Sequence, residues 1–450
     1  MSPAAFSAIE RAFRPEAIGA PITVRGWVLG SRSSGGILFI TLRDRTGVVQ
    51  VTGRKDALGE VLFAAAEHVQ NEGAIAVEGT VAEDRRAPGG REIRASRIVV
   101  VDAGEPYPIF QEQTEEFRLD KRHLVIRSQD HVATFRVKAE LLRTFREFMD
   151  RESVLEVTPP ILSGNAAEGG AEAFEIDYFG RPGYLSQTAQ LYLEALLVPN
   201  ERVYALTPSF RAEKMRTPRH LTEYLHLEGE LAWTDLDGLL SFIERMIEYV
   251  CRAIAERRPT ELRQLGRTPE DLAAVRAPFE RVPYAAAIEE LQKKGFTIEW
   301  GADFGTAEER ALTIERTVPI FLTRFPRELK AFYMLRTPAT RARWKRRTCL
   351  PPRATGRLSA LPAARRASRT CSSASPSSAS IRPPTTGIST CDAMETSNTR
   401  ASASASSACC AGWCVGSTSA TRRRFHGRRA GTLRSGPGRP ETAKVQERSQ

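Results

Sequence analysis

The 450-residue chain has no uninterrupted apolar run near the roughly eighteen residues that a bilayer-spanning helix needs, so a helical membrane anchor is excluded. Its first residues, MSPAAFSAIERAFRPEAIG, lack an apolar h-region; no secretory signal is expected, and a cytoplasmic protein is the default. Cysteine is scarce where the sequence looks globular. Only Cys251 precedes residue 339, while Cys349, Cys371, Cys391, Cys409, Cys410 and Cys414 follow it. Seven is odd, and the spacings match neither a zinc ribbon nor a disulfide framework. Acidic residues are missing from one end. Residues 339–450 hold 21 Lys and Arg against Asp392, Glu395, Glu441 and Glu447, a net of +17, so the first 338 residues carry 11 − 17 = −6. The formal charge of +11 is therefore no sign of a basic folded body.

What is present divides into four stretches. Residues 1–103 read as a small β domain: ITVRGWVLGSR, GILFITLRDRTGVVQVTG, AIAVEGTVAED and REIRASRIVVVDAG are β-rich runs separated by Gly, Asp and Ser turn signals. Four or five short strands in that length suit a five-stranded OB-fold barrel, and suit a generic small barrel equally. Residues 104–131 are charged and contain proline, as a linker does. From 132 to 338 the pattern is α+β. Val132, Phe135, Val137, Leu141, Leu142, Phe145, Phe148 and Met149 recur at helical spacing. VLEVTPPIL begins as a strand that Pro159 and Pro160 must stop. A second long helix is expected near 235–256, then strands in VPIFLTRFP and ELKAFYML. Residues 339–450, rich in Ser, Ala, Arg, Thr and Pro, follow neither period and are expected to be disordered.

The densest chemical signal runs from Phe210 to Glu230, FRAEKMRTPRHLTEYLHLEGE, a cationic loop between two alternating runs. Arginine forks pair bidentately with phosphate and carboxylate, which a nucleotide site requires; a solvated charged hairpin has the same composition.

The full string closely resembles motif 2 of class II aminoacyl-tRNA synthetases, in the aspartyl, asparaginyl and lysyl subgroup. That resemblance implies a catalytic domain built on an antiparallel sheet flanked by helices. It implies ATP and Mg²⁺ as cofactors, tRNA as partner and a homodimer. Arg211 would contact the α-phosphate and the amino-acid carboxylate. Glu213 would sit at the adenine end, Arg219 and His220 near the outer phosphates, and Tyr224 would stack on adenine. Val157-Thr158-Pro159-Pro160-Ile161-Leu162 resembles motif 1, with Pro160 at the dimer interface. Glu168-Gly169-Gly170-Ala171 resembles the loop that closes over the amino acid, and Ser186–Glu194 (SQTAQLYLE) the helix start bordering its pocket, with Gln190 and Glu228 toward the substrate. In the barrel, Phe39 would stack on an anticodon base while Arg32 and Gln50 read base edges.

Aspartyl enzymes typically carry a lysine three residues after the pocket glutamine; here Leu193 stands there. Without that cation a carboxamide fits better than a carboxylate, so the resemblance favours asparagine and tRNA(Asn), with aspartate as runner-up. A non-catalytic RNA-binding paralogue would have no need of Arg211, Glu213, Arg219, His220 and Tyr224. An amino-acid ligase acting without tRNA would have no need of the barrel.

The family's third motif, a Gly-rich strand and helix ending in Glu-Arg, is absent from the chain as written. Codons can be chosen for Thr390–Ala408 so that regrouping from each codon's last base yields LRRYGNVQHAGFGLGLER. Thr348–Ala360, regrouped in the same frame after one free leading base, gives DLLAPEGYGEIIG, which resembles the family's segment of Mg²⁺-binding acids. Two motifs, in order and in one frame, imply a frameshift near residues 337–340 and an incomplete catalytic domain in the literal chain.

Overall fold

A computed structural model describes residues 6–110, 113–164, 173–212 and 221–326, together with the backbone of 347–350, 358–361 and 400–406. The chain forms two compact units, residues 1–121 and 122–450.

The first unit is a closed barrel of β1 (Pro21–Ser34), β2 (Ile37–Arg43), β3 (Val48–Arg54), β4 (Ala74–Glu83) and β5 (Arg91–Asp102), in the order β1-β2-β3-β5-β4, with β4 returning to β1. Strand alternation sets its two faces. Val24, Val28, Leu38, Ile40, Leu42, Val49, Val51, Ile75, Val77, Ile93 and Ile98 fill the interior. Each such side chain contributes on the order of 1.5–3 kcal/mol by leaving water. At Gly26 the wall admits no side chain, because a Cβ there would lie 2.2 Å from the Arg43 carbonyl oxygen.

The second unit is an eight-stranded sheet with helices packed on it. The strands near its start are β6 (Leu155–Glu156), a small separate sheet of β7 (Leu162–Ser163), β8 (Glu175–Tyr178) and β9 (Arg181–Leu185), then the hairpin β10 (Arg202–Phe210) and β11 (Glu223–Ala232). β12 (Glu280–Pro283) and β13 (Ile320–Thr323) lie at the far edge. The sheet order closes through β14 (Arg347–Leu350), β15 (Leu358–Leu361) and β16 (Arg400–Ser406): β12-β13-β14-β15-β16-β11-β10-β6. Sequence pattern ends this sheet at Pro338 and leaves the literal chain without its last strands; the described backbone instead carries three strands beyond that point. They form because β11 and β13 each present an unpaired ladder edge, which β16 and β14 fill antiparallel.

Two long helices cover one face: α1 (Gln129–Arg151) and, further along the chain, α3 (Leu236–Arg257), with α2 (Gln190–Asn200) between them in sequence. Asp235 caps α3 by accepting from the Gly238 amide at 2.8 Å. Val137, Leu141, Phe145 and Phe148 of α1 meet Phe242, Ile243, Met246, Val250 and Ile254 of α3 over Tyr204, Leu227 and Leu231 of the sheet. One carboxylate ties the helices together. Glu140, 1% exposed, accepts from Arg143, from Arg257 at 3.2 Å and from Arg258 at 2.9 Å. Burial opposes its ionisation, but the hydrogen bonds from Arg257 and Arg143 prevail and hold its carboxyl below the usual range.

The expected strand in 328–335 lies outside the described residues, and the stretch read as a linker contains a short helix, Glu115–Asp120.

Candidate functional site

The β10–β11 hairpin pairs Phe210 with Glu223, Ser209 with Tyr224, Thr207 with His226 and Ala205 with Glu228. Because strand residues alternate, Leu227 and Leu231 face the helical core while Tyr224, His226, Glu228 and Glu230 share the opposite face. That second face is a polar stripe beside the start of α2.

Glu228 is the best-held member. Only 5% exposed, it accepts from the Thr188 hydroxyl and from the Ala189 amide at 2.7 Å, so the turn entering α2 is pinned to β11. Burial raises its carboxyl above the ordinary range, against these two hydrogen bonds and the charge of Arg211. His226 lies 3.3 Å from Glu228 Oε2 and 3.1 Å from Ser209 Oγ, each through Nδ1. Burial and then Arg211 push its pKa down to about 3, so the ring is neutral at pH 7. The Tyr224 ring stands 5.3 Å from His226, and the Arg211 guanidinium lies 5.8 Å from the Tyr224 centroid. The Arg211 amide donates to Thr222 across the hairpin mouth at 2.9 Å, and the Phe210 amide to Ser186 at 2.9 Å. Arg211, Tyr224 and Glu228 are thus brought together at one mouth.

Gln190 sits at the first turn of α2, but its amide nitrogen donates along the helix to Glu194 at 2.9 Å. Leu193 is 1% exposed among Ala189, Val203 and Ala205. A lysine at this position would place its stem in that apolar cluster. Pro160 is exposed beyond β6, next to the exposed Ile161 and Leu162. Glu168, Glu213, Arg219 and His220 lie outside the described residues. Among the described residues no cluster of three acids, histidines or cysteines could hold a metal ion.

On the barrel, Phe39 lies on the outer surface between the buried Leu38 and Ile40, with the Arg32 guanidinium 4.8 Å over its ring. Across β2 and β3, Phe39 pairs with Thr52 and Thr41 with Gln50, which puts Gln50 on the same face. Gln50 Nε2 donates to Glu92 at 3.3 Å, and Glu92 also takes Thr52 and Arg94. Sequence reasoning assigns nothing to Glu92 or His226; Glu92 shares the face of Gln50 and Thr52, and His226 stands between Leu225 and Leu227 on the face of Glu228, so strand alternation is the available signal.

These features define a class: a closed barrel with an aromatic and cationic outer face, and a separate, mainly antiparallel sheet bearing a polar stripe. Residues 22–101 match the family model for the OB-fold nucleic acid binding domain, and residues 114–350 that for class II tRNA synthetases (D, K and N). The chain is 43% identical over 328 residues to the asparagine–tRNA ligase of Pyrococcus abyssi, covering 72% of this chain and 76% of that one. It is 40% identical over 317 residues to that of Thermoplasma acidophilum, covering 70% and 74%. It superposes on the crystal structure of asparaginyl-tRNA synthetase from Pyrococcus horikoshii complexed with asparaginyl-adenylate with a TM-score of 0.81 and 34% identity, covering 91% of this chain and 95% of that one. The aspartyl enzyme of Entamoeba histolytica shares the fold at a TM-score of 0.72 and 21% identity. The chain belongs to the asparagine–tRNA ligase family.

Proposed function

We propose that this protein is an asparagine–tRNA ligase: it joins asparagine to ATP as asparaginyl-adenylate, releases pyrophosphate, and passes the acyl group to the 3′-terminal adenosine of tRNA(Asn). The observation that carries the choice of amino acid is a buried Glu228 tied to the turn entering α2, together with an apolar, buried Leu193 where the aspartyl enzymes carry a lysine. A carboxylate acceptor in the pocket, without a lysine opposite, suits a carboxamide and repels aspartate. Arg211 neutralises the α-phosphate and the substrate carboxylate, Tyr224 carries the adenine, and the motif 2 loop with Glu213, Arg219 and His220 completes the nucleotide cradle. Glu168 and Gln190 border the amino acid. Positioning and charge compensation do the work, with no covalent enzyme intermediate. The barrel reads the anticodon through Phe39, Arg32 and Gln50. Two copies pair through the exposed strip at Pro160, and the protein works in the cytoplasm.

Mg²⁺ belongs to this reaction in the family, yet the described residues do not offer it a ligand set, and no step is assigned to it here. The same gap bears on the reading frame. We infer that the gene shifts frame near codons 337–340 and that the active enzyme is the frame-restored chain. In support, β14 and β15 fall within or beside the segment that regroups to DLLAPEGYGEIIG, and β16 falls within the one that regroups to LRRYGNVQHAGFGLGLER. Sequence similarity covers 70–72% of the chain, whereas the structural superposition covers 91%.

Asparagine-dependent ATP–pyrophosphate exchange tests both readings. The frame-restored chain should exchange with asparagine and not with aspartate, and the literal chain should be inactive. Exchange by the literal chain would refute the frameshift; a restored chain that prefers aspartate would refute the substrate.

A further inference from the structure

The buried pair His226 and Glu228 poses a proton-placement problem that its geometry resolves. Nδ1 of His226 faces two oxygens, Glu228 Oε2 at 3.3 Å and Ser209 Oγ at 3.1 Å. A bare imidazole nitrogen and a carboxylate oxygen cannot face each other in a dry site without a proton between them. Glu228 already accepts from Thr188 and from the Ala189 amide, two hydrogen bonds that leave it the acceptor in this pair and work against the burial that raises its carboxyl. The ring is kept neutral by its surroundings. Arg211 is the cation that bears on it, Tyr224 and Ser209 contribute polar groups, and Thr188 reaches the pair from the turn entering α2.

We propose that His226 is a positioning residue for substrate choice: as the neutral Nδ1–H tautomer it donates to Glu228 and makes that carboxylate a pure acceptor toward the substrate side chain. With Thr188, Ala189 and His226 supplying three donors, the pocket can satisfy only a side chain that itself donates. Asparagine does so through its amide nitrogen. Aspartate would bring a second carboxylate against a buried first one. Loss of the Nδ1–H frees Glu228 to take a proton and to donate it, which admits aspartate. The inference rests on the asparagine reading of the pocket and extends it to a residue that does not touch substrate.

Two measurements on the full frame-restored chain decide it. Histidine-¹⁵N long-range spectra should show one histidine fixed as the neutral Nδ1–H tautomer at pH 7, absent in His226→Asn and altered in Glu228→Gln. An Nε2–H tautomer, or a charged ring, at that position overturns the proposal. Calorimetric binding of asparagine and aspartate should show His226→Leu reducing the preference for asparagine by about tenfold, with His226→Asn, whose amide nitrogen occupies the Nδ1 position, restoring it. An unchanged preference in His226→Leu also overturns it. If the unsubstituted frame-restored chain binds neither amino acid, the asparagine reading fails instead, and the spectrum still decides where the proton lies.

Discussion

Replacing Phe39 by alanine should uncouple RNA recognition from everything else the chain does. Phe39 is on the outer wall of the barrel, half-buried under Arg32, while Leu38 at 1% and Ile40 at 0% exposure carry the core on either side. Truncation therefore removes a stacking plate and little packing, so barrel stability should change by less than about 1 kcal/mol. A base stacked on an aromatic side chain contributes roughly 1–3 kcal/mol, so binding of an anticodon stem–loop should weaken about tenfold to a hundredfold. The basic segment 339–450, at +17, will also attract any RNA. Its share is electrostatic and falls steeply as salt rises from about 50 to about 200 mM, whereas stacking persists. Fluorescence anisotropy at the higher salt, with the asparagine anticodon loop against a scrambled loop of equal length, separates the two. Phe39→Ala should lose the difference between the loops, and Phe39→Tyr should keep it. Equal affinity of Phe39→Ala and the unsubstituted chain for the cognate loop would refute the anticodon role.

Two further outcomes follow from the geometry. Glu140→Gln leaves Arg143, Arg257 and Arg258 without their shared anion; because those guanidinium groups are a third to a half exposed and can rehydrate, the loss should be about 2 kcal/mol, or about 4–8 °C in the melting temperature of the second unit. Since the folded carboxyl of Glu140 titrates below its unfolded value, its stabilisation is present above the unfolded pKa and is lost as pH falls through the folded one; the variant's acid-unfolding curve should be the flatter of the two, and coincident curves would contradict the network. Gly26→Ala forces a methyl to within 2.2 Å of the Arg43 carbonyl and should lower barrel stability by about 2 kcal/mol or more in urea unfolding, with the transition of the second unit unmoved.

Local pattern carried the parts of this fold whose cause is local. Leu38, Ile40 and Leu42 alternate with half-exposed neighbours, and the barrel strand is where that alternation puts it. Leu239 to Ile254 recur at helical spacing and form α3. The helix at Glu115–Asp120 reads as linker in the sequence because its charges hide the signal, although Thr114 caps it by accepting from the Phe117 amide. The site was legible only through the motif 2 string. What holds that site is not adjacent in sequence: Thr188 meets Glu228 across 40 positions, and Ser209 meets His226 across 17. No periodicity announces such pairs. Gln190 is known to the sequence only by its place in the motif; that its amide donates along its own helix to Glu194 is a contact the motif does not announce.

The position of β16 gives the frame inference its physical weight. This strand lies inside the sheet, with β11 on one side and β15 on the other, and its backbone pairs with His226 through Ala232. A central strand of a sheet covered by helices is held there by branched and aromatic side chains, and glycine appears where a ligand must approach the backbone. The literal residues, Arg-Ala-Ser-Ala-Ser-Ala-Ser, supply neither. Regrouped, the same stretch alternates glycine with phenylalanine and leucine, a period of two that suits a strand with one face on a core and the other open to a nucleotide. The backbone ladder beside Glu228 is thus compatible with either reading, while the side chains that would stabilise it exist in one alone. A frame-restored chain should accordingly unfold at a higher temperature than the literal chain even without substrate, and equal melting temperatures would remove this support.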